Sequence, residues 1–146
     1  MIALLDVNVL VALAWPNHIH HEVAIVWFEK NQSKGWATCS VTQSGFVRVS
    51  SNRRILPESK SPAEAILLLR RITKMENHVF WSDDISLVER EFIFAQRIIG
   101  HRQVTDAHLV ALALRHQGRL ATFDRGVAQV VPPSVKPEDI LTFLSP

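Results

Sequence analysis

Apolar and polar positions switch between two periods along the chain. Ile2 to Leu5 is an unbroken apolar run, the pattern of a strand buried on both faces, and Asp6 ends it. Val7 to Ala14 then places apolar residues at helical spacing, so Asp6 falls on a strand-to-helix turn. Pro16 breaks that helix, because the residue before a proline is biased away from helical backbone. Val23 and Ile25 to Phe28 give a second stripe, which fades over Gln32 to Gly35. Trp36 to Cys39 reads as a short strand and Val41 to Val49 as a helix. Gly45 inside that helix costs about 1 kcal/mol relative to alanine, which points to something packed close against it. Ser61, Pro62 and Glu64 form a helix start, a cap residue followed by proline and then a reciprocating acid, for an element carried by Ala65 to Ile72. His78 to Trp81 is another short strand, with Asp83 and Asp84 as cap candidates after it. Ser86 to Ile99 predicts an amphipathic helix whose buried side is Leu87, Val88, Phe92, Ile93, Ala95 and Ile98. Ala107 to Arg115 is a strongly apolar helix, and Arg119 to Phe123 a strand that stops at Asp124. Val130 to Pro133 reads as an edge strand, since prolines forbid a central one; Pro137 to Leu144 is a closing element whose type the pattern leaves open.

Strands alternating with helices from end to end predict a single α/β domain over residues 1–146, a three-layer α/β/α sandwich around a central, mostly parallel sheet. In such a sheet the turns after the strands line the carboxyl edge, where ligands bind. Composition narrows the class without adding chemistry. Apolar residues at 47% and charged residues at 21% exclude a disordered chain. No basic-then-apolar leader and no apolar run near the roughly 20 residues of a bilayer span is visible, so a soluble, cytoplasmic protein with no membrane partner is expected. The lone Cys39 excludes an internal disulfide. A net charge of +2 permits a polyanionic partner without requiring one. His18, His20 and His21 lack the spacing that holds zinc and read as solvated residues at a helix start.

Three aspartates share a context. Asp6 and Asp124 end strands, and Asp106 sits in the first turn of an apolar helix. Each has a plain structural reading: Asp6 as a helix cap, Asp106 as a complement to a helix dipole, Asp124-Arg-Gly as a turn. Together they fit a carboxylate pocket at one sheet edge, where acids repel unless a cation sits among them. Hard oxygen ligands of that kind suit Mg²⁺ or Mn²⁺.

Leu-Leu-Asp6-Val-Asn8-Val-Leu, Thr105-Asp106-Ala-His-Leu and Leu-Ala-Thr122-Phe-Asp124-Arg, in that order over essentially the whole chain, resemble the PIN-domain ribonucleases, most closely the VapC-type toxins of bacterial toxin–antitoxin pairs. The resemblance implies a PIN-like sandwich and an Mg²⁺-dependent endoribonuclease, with Mn²⁺ as a substitute, acting on structured RNA such as tRNA or rRNA. It also implies a VapB-like antitoxin and a homodimer, through the Val26-Trp27-Phe28 region or the helix at Ile66 to Leu69. Asp6, Asp106 and Asp124 match the family's metal-binding acids. At the position of its usual fourth acid, a glutamate, stands Gln43, a candidate catalytic residue whose amide can still coordinate or hold a water but brings no charge, and Asp83 or Asp84 are alternative sources of that charge. Asn8 and Thr105 are candidates to fix the carboxylates from behind, and Arg48 and Arg102 to contact RNA phosphate or an antitoxin carboxylate. The Gln43 substitution favours an alternative, a catalytically weak PIN-like scaffold that binds RNA or protein without cutting.

Overall fold

The computed structural model describes residues 1–145. Five strands, β1 (Ala3–Leu5), β2 (Trp36–Cys39), β3 (His78–Trp81), β4 (Arg119–Thr122) and β5 (Leu141–Phe143), form one sheet in the order β3-β2-β1-β4-β5. Every pairing is parallel. β1 is central and wholly buried, as its uninterrupted apolar run requires of a strand covered on both sides. Its side chains alternate between two layers. Leu4 packs with Leu109 and Leu112 of α5 (Gln103–Arg115), while Ala3 and Leu5 pack with Leu10 of α1 (Val7–Ala14), Phe28 of α2 (His21–Asn31) and Phe46 of α3 (Ser40–Ser50). Each such leucine or phenylalanine, fully withdrawn from water, contributes about 1.5–3 kcal/mol. The expected three-layer sandwich follows.

Two local features seat the elements nearest the carboxyl edge. A Cβ built on Gly45 would lie 2.5 Å from Cγ2 of Val7, so α3 approaches the first turn of α1 as closely as it does because residue 45 has no side chain. The start of α4 (Pro62–Thr73) carries the expected reciprocal cap: Ser61 Oγ accepts from Glu64 N at 3.2 Å, and Glu64 Oε1 accepts from Ser61 N at 3.1 Å.

Three expectations fail. Ser86 to Ile99 is not a helix but a chain of turns with one short 3-10 turn at Ala95–Arg97. Within it Ile93 is buried, whereas Val88 is 87% exposed. The Ser86 hydroxyl accepts from Val88 N, a local turn that competes with helix, and Arg97 donates to the Val131 carbonyl, pinning the crossing to a distant segment. The expected strand over Val130–Pro133 is absent. Arg125–Val130 is a 3-10 segment that buries Val127 and Val130, and the chain then turns through Pro132 and Pro133, which have no N–H to offer a sheet. The edge beside β4 is taken instead by β5, reached through a single helical turn, α6 (Pro137–Ile140). Finally, Asp83 and Asp84 cap no helix; they pair with basic side chains, as described below.

Candidate active site

Helix α1 begins where β1 stops, and Asp6 is the hinge between them. Its Oδ1 accepts from Val7 N at 2.8 Å, so the plain capping role is real. Its Oδ2 accepts from the Thr122 hydroxyl at 2.8 Å, across from the end of β4. The same Thr122 oxygen accepts from Asp124 N at 3.0 Å and from Asn8 Nδ2 at 3.3 Å, while Asn8 Oδ1 accepts from Phe123 N at 3.3 Å. One fully buried hydroxyl therefore ties the ends of β1 and β4 together and fixes the Asp6 carboxylate. These two strands flank the point where the sheet order reverses, the place where open α/β sheets bind ligands. Asp124 begins the 3-10 segment, its Oδ1 accepting from Gly126 N at 2.8 Å, which is the turn expected of Asp-Arg-Gly. Asp106 lies in the first turn of α5.

All three acids open onto one cleft of about 710 Å³, whose other walls include Val11, Trp15, Leu56 and Pro57. Among the described residues none of the three forms an ion pair with lysine, arginine or histidine. Their acidities register this. Burial, then the Asp6 charge, then the Asp124 charge push Asp106 up to about 6. Asp6, only 8% exposed, is also raised, by burial first and by Asp124 last, against the lowering pull of Thr122 and Val7. Oxygen donors carrying uncompensated negative charge suit a hard divalent cation. Among the described residues no three His, Cys, Asp or Glu side chains stand close enough to hold such an ion. The donor chemistry fits, and closing the ligand set needs a shift of side chains.

The other predicted residues divide. Asn8, a candidate to fix the carboxylates, touches Asp6 only by way of Thr122, whose hydroxyl accepts from its Nδ2. Thr105 is exposed and makes no side-chain hydrogen bond to Asp106. Gln43 donates from Nε2 to Thr38 Oγ1 at 3.0 Å, and that hydroxyl also meets His78 Nε2 at 2.8 Å; its amide thus faces β2 and β3, and Gln43 does not line the cleft. Arg48 and Arg102 are exposed and make no ion pair among the described residues. Asp83 takes a short contact from His108 Nε2 and accepts from Val41 N at 3.3 Å, and Asp84 pairs with Arg115 at 3.5 Å and His116 at 3.7 Å. Sequence reasoning missed Thr122 as a functional residue. The one available signal was its place between a buried strand and Asp124, where a hydroxyl is out of keeping with the apolar run.

A parallel sheet with an acidic cleft at its strand-order reversal is an α/β architecture with its candidate site at the carboxyl edge. The PIN domain family matches residues 3–131, and the chain belongs to that family. Within it the chain is similar to the ribonuclease VapC39 of Mycobacterium tuberculosis, 50% identical over 128 residues that cover 88% of this chain and 92% of that one. It is 48% identical to the ribonuclease VapC38 of the same organism over 143 residues, covering 97% and 99%. Among solved structures it resembles VapBC2 from Rickettsia felis bound to a DNA fragment from their promoter, with a TM-score of 0.63 at 14% identity, covering 99% of this chain and 100% of that one, a likeness of fold. No helix among the described residues is long and apolar enough to cross a membrane.

Proposed function

We propose that the chain is a VapC-type toxin, a metal-dependent endoribonuclease cutting structured RNA, tRNA or rRNA, at the cleft built on Asp6, Asp106 and Asp124. The observation that carries this reading is the set of three cleft carboxylates with no basic partner among the described residues, one of them locked by a buried hydroxyl. Asp6 and Asp106 would hold Mg²⁺, or Mn²⁺ in its place, with Asp124 completing the set or orienting a water. The bound ion supplies polarisation of a phosphate and a lowered water pKa. Thr122 and Asn8 keep Asp6 from rotating away, and the apolar cleft wall limits bulk water. In-line attack of a water oxygen on phosphorus would then form the new P–O bond as the P–O3′ bond breaks and the 3′ oxygen takes up a proton, which leaves a 5′-phosphate and a 3′-hydroxyl. Gln43, turned toward Thr38 and His78, acts at most indirectly.

A VapB-like antitoxin would silence the site by placing a basic side chain among the unpaired acids. The naming of VapC relatives and the VapBC neighbour support this partner. A homodimer is part of the same reading: Ile66 and Leu67 on α4, and Val26 on α2, are exposed apolar positions suited to a second copy, while Phe28 and Leu69 are taken by the core.

The test is cleavage of total tRNA and rRNA by antitoxin-free protein in Mg²⁺, Mn²⁺ or EDTA, beside Asp6→Asn. Cuts that need both metal and Asp6 are expected. Properly folded protein that binds RNA equally in Mg²⁺ and EDTA and cuts nothing would establish the scaffold alternative.

A further inference from the structure

The three histidines at 18, 20 and 21 do separate jobs. His21 Nδ1 meets the Ala12 carbonyl at 2.7 Å, anchoring the segment to α1. The His20 ring stacks on Phe123 with centroids 4.8 Å apart and an interplanar angle of 21°, docking it against the residue beside Asp124. His18 is left, and its orientation is over-determined. Its backbone N–H donates to the Trp15 carbonyl at 2.9 Å, its carbonyl accepts from His21 N at 3.0 Å, and its ring Nδ1 accepts from His20 N at 3.0 Å.

An Nδ1 that accepts a hydrogen bond carries no proton, so the ring's hydrogen is on Nε2. Burial, then the neighbouring His20 and His21, lower the His18 pKa, which keeps the ring neutral. His18 lines the same cleft as the acids. Among the described residues the lining contains four carboxylates, Asp6, Glu58, Asp106 and Asp124, and no lysine or arginine. The other side-chain N–H donors there are engaged within the protein: Trp15 Nε1 gives its single hydrogen to Ser50 Oγ at 3.1 Å, while Asn17 Nδ2 gives one of its two to Glu58 Oε2 at 2.9 Å and Asn8 Nδ2 one of its two to Thr122. No protein acceptor takes the Nε2–H of His18 among the hydrogen bonds of the described residues.

We propose that His18 is a substrate-binding residue whose fixed Nε2–H donates to a non-bridging phosphate oxygen of the RNA strand held in the cleft. A neutral donor suits this wall: a lysine or arginine would pair with the carboxylates and compete with the metal, whereas a neutral imidazole leaves them free. The inference rests on the endoribonuclease reading and adds to it how the strand is gripped beside the reacting phosphate.

The experiment compares wild type, His18→Leu, His18→Gln and Asp6→Asn on total tRNA in Mg²⁺, separating half-saturating RNA concentration from maximal rate, with thermal melting alongside. Glutamine places an amide nitrogen where Nε2 sits and keeps a neutral donor. Expected is a half-saturating concentration raised about tenfold in His18→Leu with the maximal rate within threefold, recovery to within threefold of wild type in His18→Gln, and unchanged melting. Undiminished binding in His18→Leu, or an equal loss in a folded His18→Gln, overturns the proposal. A second arm works without cleavage: long-range ¹H–¹⁵N spectra of the wild type should show His18 protonated on Nε2 and shifted by a short single-stranded RNA. An Nδ1-protonated ring, or no shift with RNA bound, overturns it equally. Wild type that does not cut while His18 still shifts would sink the nuclease reading and leave the RNA contact standing.

Discussion

Five aspartates stand within three residues after a strand or in the first turn of α5, and they divide into two groups. On the β3 side, Asp83 and Asp84 are each met by basic side chains, from His108, Arg115 and His116 of the neighbouring helix and its cap. On the β1–β4 side, Asp6, Asp106 and Asp124 face one another across a cleft without a cationic partner among the described residues, and burial first, then their mutual charge, raises the pKa of Asp6 and Asp106. The sequence context is nearly the same in both places. What separates a structural acid from a site acid here is whether the fold supplies the counter-charge or leaves it to a ligand.

The sharpest way to break this contrast is to neutralise one member of each group. Asp106→Asn should cut RNA cleavage on the order of 10³-fold, because the site loses charge that no neighbour replaces. Asp84→Asn, at an exposed pair, should leave cleavage within threefold; equal losses in gel-based cleavage rates would dissolve the distinction. Next in size is Thr122→Val, which keeps the shape of β4 but frees the Asp6 carboxylate. A loss of about 10–100-fold in apparent metal affinity is expected, read by titrating Mn²⁺ against cleavage rate.

The paired side is tested by stability rather than activity. Asp83→Ala strips the partner from His108 and an acceptor from Val41 N, and should cost about 1–3 kcal/mol in urea denaturation. The smallest effect belongs to pH. With a folded pKa of about 6 against an ordinary 3.8, Asp106 keeps a proton that the unfolded chain has already released. Stability of the metal-free protein should therefore fall as pH rises through that window, and Asp6 acts in the same direction. Asp106 is half-exposed, so after screening the loss is about 1 kcal/mol, or roughly 3 °C in melting temperature. Asp106→Asn should abolish most of the slope, and Mg²⁺ at pH 7.5 should reverse it in wild type; a melting temperature indifferent to both would show that the acids do not repel.

What was legible in the chain was whatever a short window decides. The apolar run before Asp6 announced β1, Ser61 and Glu64 announced α4, and Gly45 announced a close contact that proved to be Val7. Failures came where a distant partner decides. The stripe at Leu87, Val88, Phe92 and Ile93 has helical spacing, yet Arg97 is tied to the Val131 carbonyl and Ser86 closes its own turn, so the segment crosses the domain as irregular chain. Val130 to Pro133 was apolar enough for a strand but had its place taken by β5. At the site, the acids could be named from their positions in the motifs, while the hydroxyl that organises them could not, because Thr122 meets Asp6 across 116 residues of sequence. The histidines looked alike as letters; only their partners tell them apart.

That long reach has a consequence in time. β1 leaves a ribosome well before β4, one of its two neighbours, and the Thr122 hydroxyl arrives with β4, 116 residues after Asp6. At about 5–20 residues per second, Asp6 waits many seconds for its lock. A nascent chain, however much of α1 to α4 it has already formed, carries an incomplete cleft until β4 has emerged. Each molecule's cleft is therefore completed in one late step, when β4 takes its place beside β1.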